Sequence, residues 1–167
     1  MLLDALTGVA NREAFDAALE SAVQERRENG ATLCVLLADV DRFAAFNETH
    51  GRRVGDHVLR RVAQEMSQCV KGMEMLARYG AGEFAILLPG TYASAMVLAE
   101  SMRAIIEAQV VETEDGRSVD RLTLSFGVAE LRPEEPGSAF VARAAACLEQ
   151  SKAQGRNRVT GERDLLS

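Results

Sequence analysis

The sequence predicts a single α/β domain over residues 1–167, a sandwich in which helices flank a mainly antiparallel central sheet. Three observations lead to this fold class. The length of 167 residues suits one ordinary domain with its own core. Helical and strand-like segments follow one another in the order α-β-α-β-β-α-β-β-α-β. In two places a short glycine-containing turn connects two consecutive strands. Strands connected in this way are antiparallel, which argues against a doubly wound parallel sheet.

The first two elements are a helix and a buried strand. Residues 11–29 carry apolar side chains at three- and four-residue steps, which is the pattern of an amphipathic helix. The segment TLCVLLADVD (32–41) is apolar and β-branched, as expected for a buried strand. Its last acids, Asp39 and Asp41, are two residues apart, so we expect both to project from the same face at the end of the strand.

A second helix and a hairpin follow the segment RFAAFNETH. The helix is predicted to open at Gly55-Asp56, with Asp56 as its N-cap, and to continue to about residue 70. The strand-like segments MEMLARY (73–79) and FAILLP (84–89) flank a GAGE tip and predict a hairpin. The glycines of this tip permit positive φ and close approach of the backbone to a ligand.

The last part of the chain predicts two further helices, a second hairpin and a short terminal strand. The helices cover 92–108 and 138–154, the hairpin turns at Asp115-Gly116 into RLTLSFGVAE, and the segment GRNRV (155–159) ends the pattern.

Composition and charge exclude several classes of function. The net charge of -6 leaves no general attraction to nucleic acid or to an anionic membrane, so a phosphate-bearing ligand must be held by local groups. The three cysteines lack metal-ligand spacing and are typical of a reducing compartment. No signal peptide and no bilayer-spanning run are visible, which predicts a cytoplasmic domain without direct membrane contact. These observations do not exclude membrane segments in a longer parent protein.

Two carboxylates are candidates for a metal site. Asp39 ends a buried strand and Glu83 lies at the hairpin tip, so both acids converge if these strands are neighbours. Carboxylates are hard oxygen ligands of the kind that Mg²⁺ prefers. The alternative interpretation is that both acids are only solvated or capping groups, which is the more common role for acids at strand ends.

Polar and basic residues elsewhere are candidates for nucleotide contacts. Asn47 and Asp56 together match the edge of guanine, which presents an N1–H, an amine and an adjacent acceptor. The alternative is that Asp56 only caps its helix and Asn47 only closes a turn. Lys152 and Arg156 lie one helical turn apart and suit a triphosphate, although a solvated helix end is the default interpretation.

Five motifs, read in order, resemble those of a known family: DALTGVANR (4–12), DVDRFAAFNETHGRRVGDHVL (39–59), RYGAGEF (78–84), SFGVA (125–129) and SKAQGRNRV (151–159). Together they resemble the GGDEF domain, the diguanylate cyclase domain of bacterial cyclic di-GMP signalling. The resemblance covers nearly the whole chain. Each motif is modest alone, whereas five in the right order and spacing are highly specific.

The resemblance implies a fold related to nucleotidyl cyclases and polymerase palm domains, and a reaction that condenses two GTP molecules into cyclic di-GMP. Two domains face each other, and two Mg²⁺ ions assist an in-line displacement. The implied partners are therefore GTP or another guanine nucleotide, a second GGDEF domain in a homo- or heterodimer, and other domains of a longer parent protein.

The resemblance also implies roles for individual positions. The implied metal ligands are Asp39, the backbone carbonyl of Val40, and Glu83. Glu83 is also the one acid of the signature that remains for catalysis. Nucleotide contacts fall to Arg42, Phe43, Asn47, Asp56, Leu59, Lys152 and Arg156. The family's inhibitory site for cyclic di-GMP is an RxxD motif shortly before the signature, and the corresponding positions here are Lys71 and Glu74. These residues keep the charges of the motif but lack the bidentate guanidinium of arginine.

The signature itself departs from the family pattern, because GAGEF stands in place of GGDEF. Ala81 replaces the second glycine and is strained if that position requires positive φ. Gly82 replaces the third-position acid, a metal ligand in the family, and losing such a group typically costs on the order of 10²–10³ in rate. In the family, a lysine is common directly after the DxDxF motif, and this chain has Ala44 at that position.

Three hypotheses for the function follow. The first is a degenerate GGDEF domain that binds a guanine nucleotide as a regulatory module, with weak or no cyclase activity. The second is an active but slow diguanylate cyclase that uses Asp39 and Glu83. The third is a catalytically dead domain that pairs with another protein.

Overall fold

The computed structural model describes residues 2–113, 115–118 and 121–166. Within these residues the helices are α1 (Arg12–Asn29), α2 (Phe43–His50), α3 (Arg52–Cys69), α4 (Tyr92–Ala108) and α5 (Gly137–Ala153), followed by a 3₁₀ turn over Glu162–Leu166. The strands are β1 (Cys34–Val40), β2 (Met75–Gly80), β3 (Glu83–Leu88), β4 (Leu124–Glu130) and β5 (Val159–Gly161).

The strands form one sheet in the order β2-β3-β1-β4-β5. All neighbours are antiparallel except β4 and β5, which run parallel. The predicted α/β sandwich with a mainly antiparallel central sheet is therefore confirmed, as is the hairpin formed by β2 and β3. The central position of β1 explains why nearly all of its residues are apolar, because both of its faces are covered.

Helices cover both faces of the sheet. Along β1, Leu36 and Ala38 pack with α2, α3 and α4, whereas Val35 and Leu37 pack with α1 and α5. This alternation is the period of two that a strand imposes. Asp39 continues the second series and so belongs to the face that carries α1 and α5.

Local signals explain where the long helices begin. The side chain of Asn11 accepts a hydrogen bond from Ala14 N and caps α1, and Thr91 accepts from Ser94 N and caps α4. Gly30, at φ 69°, ends α1 in the left-handed conformation that glycine adopts without a steric cost.

The sequence left one helix unpredicted, and its expectation for the start of α3 was wrong. The segment RFAAFNETH, for which no element was predicted, contains the short helix α2. Helix α3 begins at Arg52 rather than at Gly55, so Asp56 lies inside the helix and is not its N-cap. The cause is Gly51, whose φ of 88° separates α2 from α3 while its N–H still bonds to Asn47 O.

The expected strand before β4 is also absent from the described part of the chain. The turn at Asp115-Gly116 is present, because Gly116 N bonds to Thr113 O and Thr113 N bonds to Arg117 O. Only an isolated bridge between Glu112 and Ser118 links its two arms. Val119 and Asp120, which were part of the expected hairpin, lie outside the described residues.

A glycine allows α5 to lie very close to the sheet. A Cβ atom on Gly127, in the SFGVA motif of β4, would overlap the backbone of Ala144 and Leu148 in α5. Backbone atoms cannot move aside as a flexible side chain can. Gly127 therefore sets the distance at which α5, and with it Lys152, crosses the sheet.

Candidate nucleotide and metal site

Asp39 and Glu83 lie directly opposite each other. They are paired residues in the antiparallel ladder between β1 and β3, so their side chains project from the same face. Both line a cleft with a volume of about 390 Å³ at this end of the sheet. The convergence of the two carboxylates, which the sequence predicted on the condition that the strands are neighbours, is thus present.

The carboxylate of Asp39 is neutralised by a lysine from the end of α5. Lys152 Nζ lies 2.5 Å from Asp39 Oδ2 and 3.3 Å from Glu149 Oε1. Burial alone disfavours the charged ammonium, but the hydrogen bond and charge of Asp39, with a smaller contribution from Glu149, raise the pKa of Lys152 above its usual value. Lys152 therefore stays charged, and it occupies the space beside Asp39 that another cation would need.

The hairpin tip is fixed by an arginine of β2. The Arg78 guanidinium donates to Gly80 O at 3.2 Å and to Ala81 O at 2.8 Å, and it pairs with Asp4 at 3.3 Å. Asp4 also accepts from the backbone N–H and hydroxyl of Thr7. Burial raises the pKa of Asp4, but the hydrogen bonds from Thr7 and the charge of Arg78 outweigh burial, so its pKa is lowered. The tip is thus tied to the first motif of the chain.

The tip does not use the backbone freedom of its glycines. None of Gly80, Ala81 and Gly82 has a positive φ, so the positive φ that the glycines permit is not adopted here. Ala81 is therefore unstrained, because its backbone conformation suits any L-residue.

Gly82 is instead held in place by packing. A Cβ atom at this position would lie 2.8 Å from Phe43 Cδ2 and 3.2 Å from Phe43 Cβ. Phe43 begins α2 and is buried. Its side chain occupies the space into which any larger residue at position 82 would extend, so an acid there requires Phe43 to shift.

Sequence reasoning did not find the role of Asp41, which is the best-satisfied acid of the site. This buried carboxylate accepts from Ser125 Oγ at 2.6 Å, Thr123 Oγ1 at 2.7 Å and Asn157 N at 3.0 Å. The Asn157 side chain in turn bonds to Arg103 and Glu107 of α4. Asp41 is thus a structural anchor that joins the end of β1 to β4 and to the segment after α5.

Two of the expected phosphate-contacting residues have an unusual backbone. Arg42, which precedes α2, has φ 56°, and Arg156, which follows α5, has φ 65°. Left-handed conformations are uncommon for residues other than glycine and cost of order 1–3 kcal/mol. The bonds of Asp41 hold the segments next to both arginines, which explains how the structure maintains these conformations.

Asn47, which lines the cleft, has an unsatisfied polar atom. Its side chain lies against the α-carbon of Gly55, where any Cβ would overlap it, and its carboxamide oxygen is buried without a hydrogen-bond partner in the described part of the chain. A buried acceptor without a donor costs about 1–3 kcal/mol. Such an atom is expected where a ligand supplies the donor.

Comparisons with known proteins place the chain in a family. The family described as "Diguanylate cyclase, GGDEF domain" matches residues 1–158. The chain belongs to the GGDEF domain family. The response regulator PleD of Caulobacter vibrioides is 34% identical over 161 residues, which cover 95% of this chain and 36% of PleD. The chain thus spans about a third of the length of that relative.

Solved structures confirm the fold of this GGDEF domain. The GGDEF domain of DgcB from Caulobacter crescentus, in complex with c-di-GMP, superposes with a TM-score of 0.94 at 36% identity over 96% of this chain and 95% of that one. The diguanylate cyclase SiaD of Pseudomonas aeruginosa, in complex with its activator SiaC, gives a TM-score of 0.90 at 31% identity, covering 95% of this chain and 61% of that one.

Not every expected site residue lines the cleft of the GGDEF domain. Asp39, Val40, Arg42, Phe43, Asn47, Glu83, Lys152 and Arg156 do so. Asp56 is partly buried on α3, next to Gly55 and therefore close to Asn47. Leu59 is fully buried in the core and does not line the cleft. Its role as the wall of a base pocket stays a prediction.

The expected inhibitory site lies at the other end of the hairpin. Lys71 follows α3 and is exposed, and Glu74 precedes β2, whereas the GAGE tip follows β2. One carboxylate oxygen of Glu74 is buried without a partner among the described residues. A role of either residue in binding cyclic di-GMP stays a prediction.

The donors of the cleft suit a divalent cation that is shared with a ligand. Mg²⁺ is commonly bound through one or two carboxylates together with waters and substrate phosphates. Asp39 and Glu83 supply two such carboxylates, and the carbonyl of Val40 is a further oxygen at the end of β1. No group of three or more acidic, histidine or cysteine side chains that could hold a metal occurs among the described residues. These residues therefore suit a metal ion that binds together with a phosphate-bearing ligand, and they do not by themselves form a complete metal site.

None of the described helices is long and apolar enough to cross a membrane.

Proposed function

We propose that this GGDEF domain binds a guanine nucleotide in the cleft between β1, the hairpin tip and α5, and serves as a regulatory module of cyclic di-GMP signalling with weak or no cyclase activity. The observation that carries the proposal is the buried, unpartnered carboxamide oxygen of Asn47. A guanine N1–H or amine is a donor of the kind that this atom lacks.

The cleft supports binding of the phosphates as well as the base. Lys152 and Arg156 supply positive charge at the end of α5, and Arg42 adds a guanidinium at the start of α2. Asp39 and Glu83 would hold a Mg²⁺ that arrives with the nucleotide, and this metal would supply positive charge to the phosphate oxygens. A metal at Asp39 Oδ2 would then have to displace Lys152, which lies 2.5 Å from that oxygen.

The weak activity in this proposal follows from Gly82. Displacement at an α-phosphate builds negative charge at the reacting centre, and acids that fix the metal ions are needed to place the compensating charge. Glu83 remains on the Asp39 face, but position 82 offers no carboxylate. The buried ring of Phe43 fills the space beside it.

The proposal is tested by isothermal titration calorimetry with Mg-GTP and Mg-ATP. We expect GTP to bind on the order of tenfold or more tightly than ATP, since adenine has no N1–H and no amine beside it, and its exocyclic amine lies where guanine has an acceptor. Absence of heat up to millimolar GTP would remove the nucleotide-binding role.

A slow diguanylate cyclase is the second candidate, favoured by the direct opposition of Asp39 and Glu83. Incubation with GTP followed by chromatography of the products tests it. Formation of cyclic di-GMP that is lost in Glu83→Ala would support this function. Product formation that is unchanged in Glu83→Ala would show that Glu83 carries no metal in the reaction.

Partners of the domain belong to the same proposal. The reaction of the family joins two nucleotides held by two domains, so a second GGDEF domain is the expected partner. Because the chain spans only 36% of PleD, other domains of a longer parent protein are further candidates. The complex of SiaD with its activator SiaC supports control by a protein partner.

A further inference from the structure

A cavity with a volume of about 290 Å³ lies between α3, the end of α4 and the segment 109–113. Helix α4 ends at Ala108, and the chain continues past the cavity as an irregular segment. None of the residues that line this cavity lines the nucleotide cleft. The cavity is therefore separate from the site of the proposed function.

The floor of this α3 cavity is apolar. It is formed by residues of the core that contains α3 and α4, namely Val58, Val62, Ile106, Val111 and Leu122. All of them are buried except Val111, which is partly buried. An apolar pocket with a small number of polar groups around it is the usual form of a site for a small molecule.

Two groups of opposite charge lie at the rim of the cavity. Arg61 and Glu65 are one turn apart on α3, and Arg61 Nη2 is 3.9 Å from Glu65 Oε1. The other contact of the guanidinium is Gln109 Oε1 at 3.5 Å. Both distances are at or beyond the limit of a hydrogen bond. Within the described residues the two charges thus face each other without a short bond, and such a pair opens at little cost.

The outer wall of the cavity is in place without a ligand. His57 Nε2 lies 3.1 Å from Glu112 O, and because a carbonyl only accepts, the histidine is the donor. This bond joins α3 to the segment 109–113. A site whose wall is already ordered loses less entropy when it binds a ligand.

We propose that the α3 cavity binds a free α-amino acid with an apolar side chain, of the class of leucine or methionine. Its carboxylate pairs with Arg61, its ammonium group pairs with Glu65, and its side chain lies on the apolar floor. A simple anion would be repelled by Glu65 and a simple cation by Arg61, so a molecule that carries both charges suits the rim best. A peptide segment lacks this adjacent pair of charges, because its α-groups are neutral amides.

The test is a calorimetric titration of the unaltered chain with L-leucine and three analogues. Alanine should bind on the order of tenfold more weakly, because it has three fewer carbons to bury. L-leucinol lacks the carboxylate and isocaproate lacks the ammonium group. Each should bind about tenfold more weakly than leucine, the loss typical of a charged hydrogen-bonding group.

Variants assign each charge of the ligand to its partner. Arg61→Gln should weaken leucine about tenfold and leave leucinol unchanged, whereas Glu65→Gln should weaken leucine and not weaken isocaproate. The matched control is Arg60→Gln, which alters the adjacent exposed arginine of α3 that does not line the cavity. Its affinity for leucine should stay within twofold of that of the unaltered chain. Melting curves show whether each variant is folded.

Four results would overturn the inference. Absence of heat up to millimolar leucine, or equal affinity for leucine and alanine, would show that the cavity holds no apolar amino acid. Leucine binding that is unchanged in Arg61→Gln, or an equal loss in Arg60→Gln, would show that Arg61 has no specific role. Asn47→Ala should leave leucine binding intact, so failures of guanine recognition and of the α3 cavity give different results.

Discussion

Lys152 Nζ lies 2.5 Å from Asp39 Oδ2, so the acid at the centre of the site carries an internal counter-ion. In the proposed function, a metal ion at this oxygen would compete with the lysine, whereas a triphosphate would be attracted to it. The ion pair would therefore couple the binding of metal to the binding of phosphate. Lys152 would oppose metal alone, and phosphate that draws Lys152 away would leave Asp39 free for the metal.

The first prediction concerns this coupling. Lys152→Met should strengthen binding of Mn²⁺ without nucleotide about two- to fivefold, because a partly exposed ion pair contributes roughly 1 kcal/mol or less. The same change should weaken Mg-GTP. Both are measured by calorimetry. Lys71→Met, which alters the only other lysine and lies at the far end of the hairpin, is the control. Weaker Mn²⁺ binding in Lys152→Met would show that Lys152 supports the metal instead of opposing it.

The second prediction concerns the third signature position. Gly82→Asp should raise cyclic di-GMP formation on the order of 10²-fold, because it returns a carboxylate to the site. It should also lower stability by about 1–3 kcal/mol, the usual cost of overpacking, since Phe43 must shift. Turnover and urea denaturation measure the two effects.

The control for this prediction separates charge from packing. Gly82→Ala should show the same loss of stability with no gain in activity. Adding Ala81→Gly to Gly82→Asp should change little, because Ala81 has no positive φ to relieve. An equal gain in Gly82→Ala and Gly82→Asp would contradict the electrostatic explanation.

The third prediction concerns the crossing of α5. Gly127→Ala should destabilise the domain by about 1–3 kcal/mol or more, because the new methyl group would meet the backbone of Ala144 and Leu148. Gly137→Ala is the matched control, since its Cβ would make only an ordinary contact of 3.5 Å with Leu19. Thermal unfolding compares the two variants, and equal melting temperatures would show that α5 can move away from the sheet.

The fourth prediction concerns the buried anchor of the site. Asp41→Asn should lower the unfolding free energy by about 1–3 kcal/mol, because an amide nitrogen replaces an acceptor that faces three donors. Asp16→Asn, on the exposed face of α1, should have an effect below about 0.5 kcal/mol. Denaturation of both in urea gives the difference, and a neutral Asp41→Asn would mean that Asp41 does not anchor β1.

The fifth prediction concerns pH. Glu135 bonds to the guanidinium of Arg143, which outweighs burial and lowers the pKa of Glu135 below its usual 4.5. A carboxyl whose pKa is lower in the folded state stabilises the fold above its unfolded pKa and loses that contribution as pH falls through the folded pKa. The unfolding free energy should thus begin to fall below about pH 4.5. Glu135→Gln should make this fall shallower, and an unchanged slope would remove Glu135 as a contributor.

Much of the fold followed from local sequence patterns. The long helices and the β2–β3 hairpin were predicted because each has a strong period or a clear turn. The opposition of Asp39 and Glu83 followed from two acids at the ends of neighbouring strands. Helix α2 was missed because its eight residues bury only Phe43 and Phe46, which is too short a pattern to distinguish from a loop.

The contacts that shape the site depend on residues far apart in the chain. Arg78 reaches Asp4 across 74 positions, and Asn157 reaches Asp41 across 116. No local pattern encodes such pairs. Likewise, the clash that a side chain at position 82 would make with Phe43 emerges only when the fold brings the two segments together.

The most direct test of the central claim is the calorimetric titration of Mg-GTP into the unaltered chain, Asn47→Ala and Glu48→Gln. Glu48 is the exposed neighbour of Asn47 on α2 and serves as the control. Recognition of guanine by Asn47 predicts that Asn47→Ala weakens GTP about five- to tenfold and leaves ATP unchanged, while Glu48→Gln changes neither. Equal GTP affinity in Asn47→Ala and the unaltered chain would contradict the claim that this cleft reads guanine.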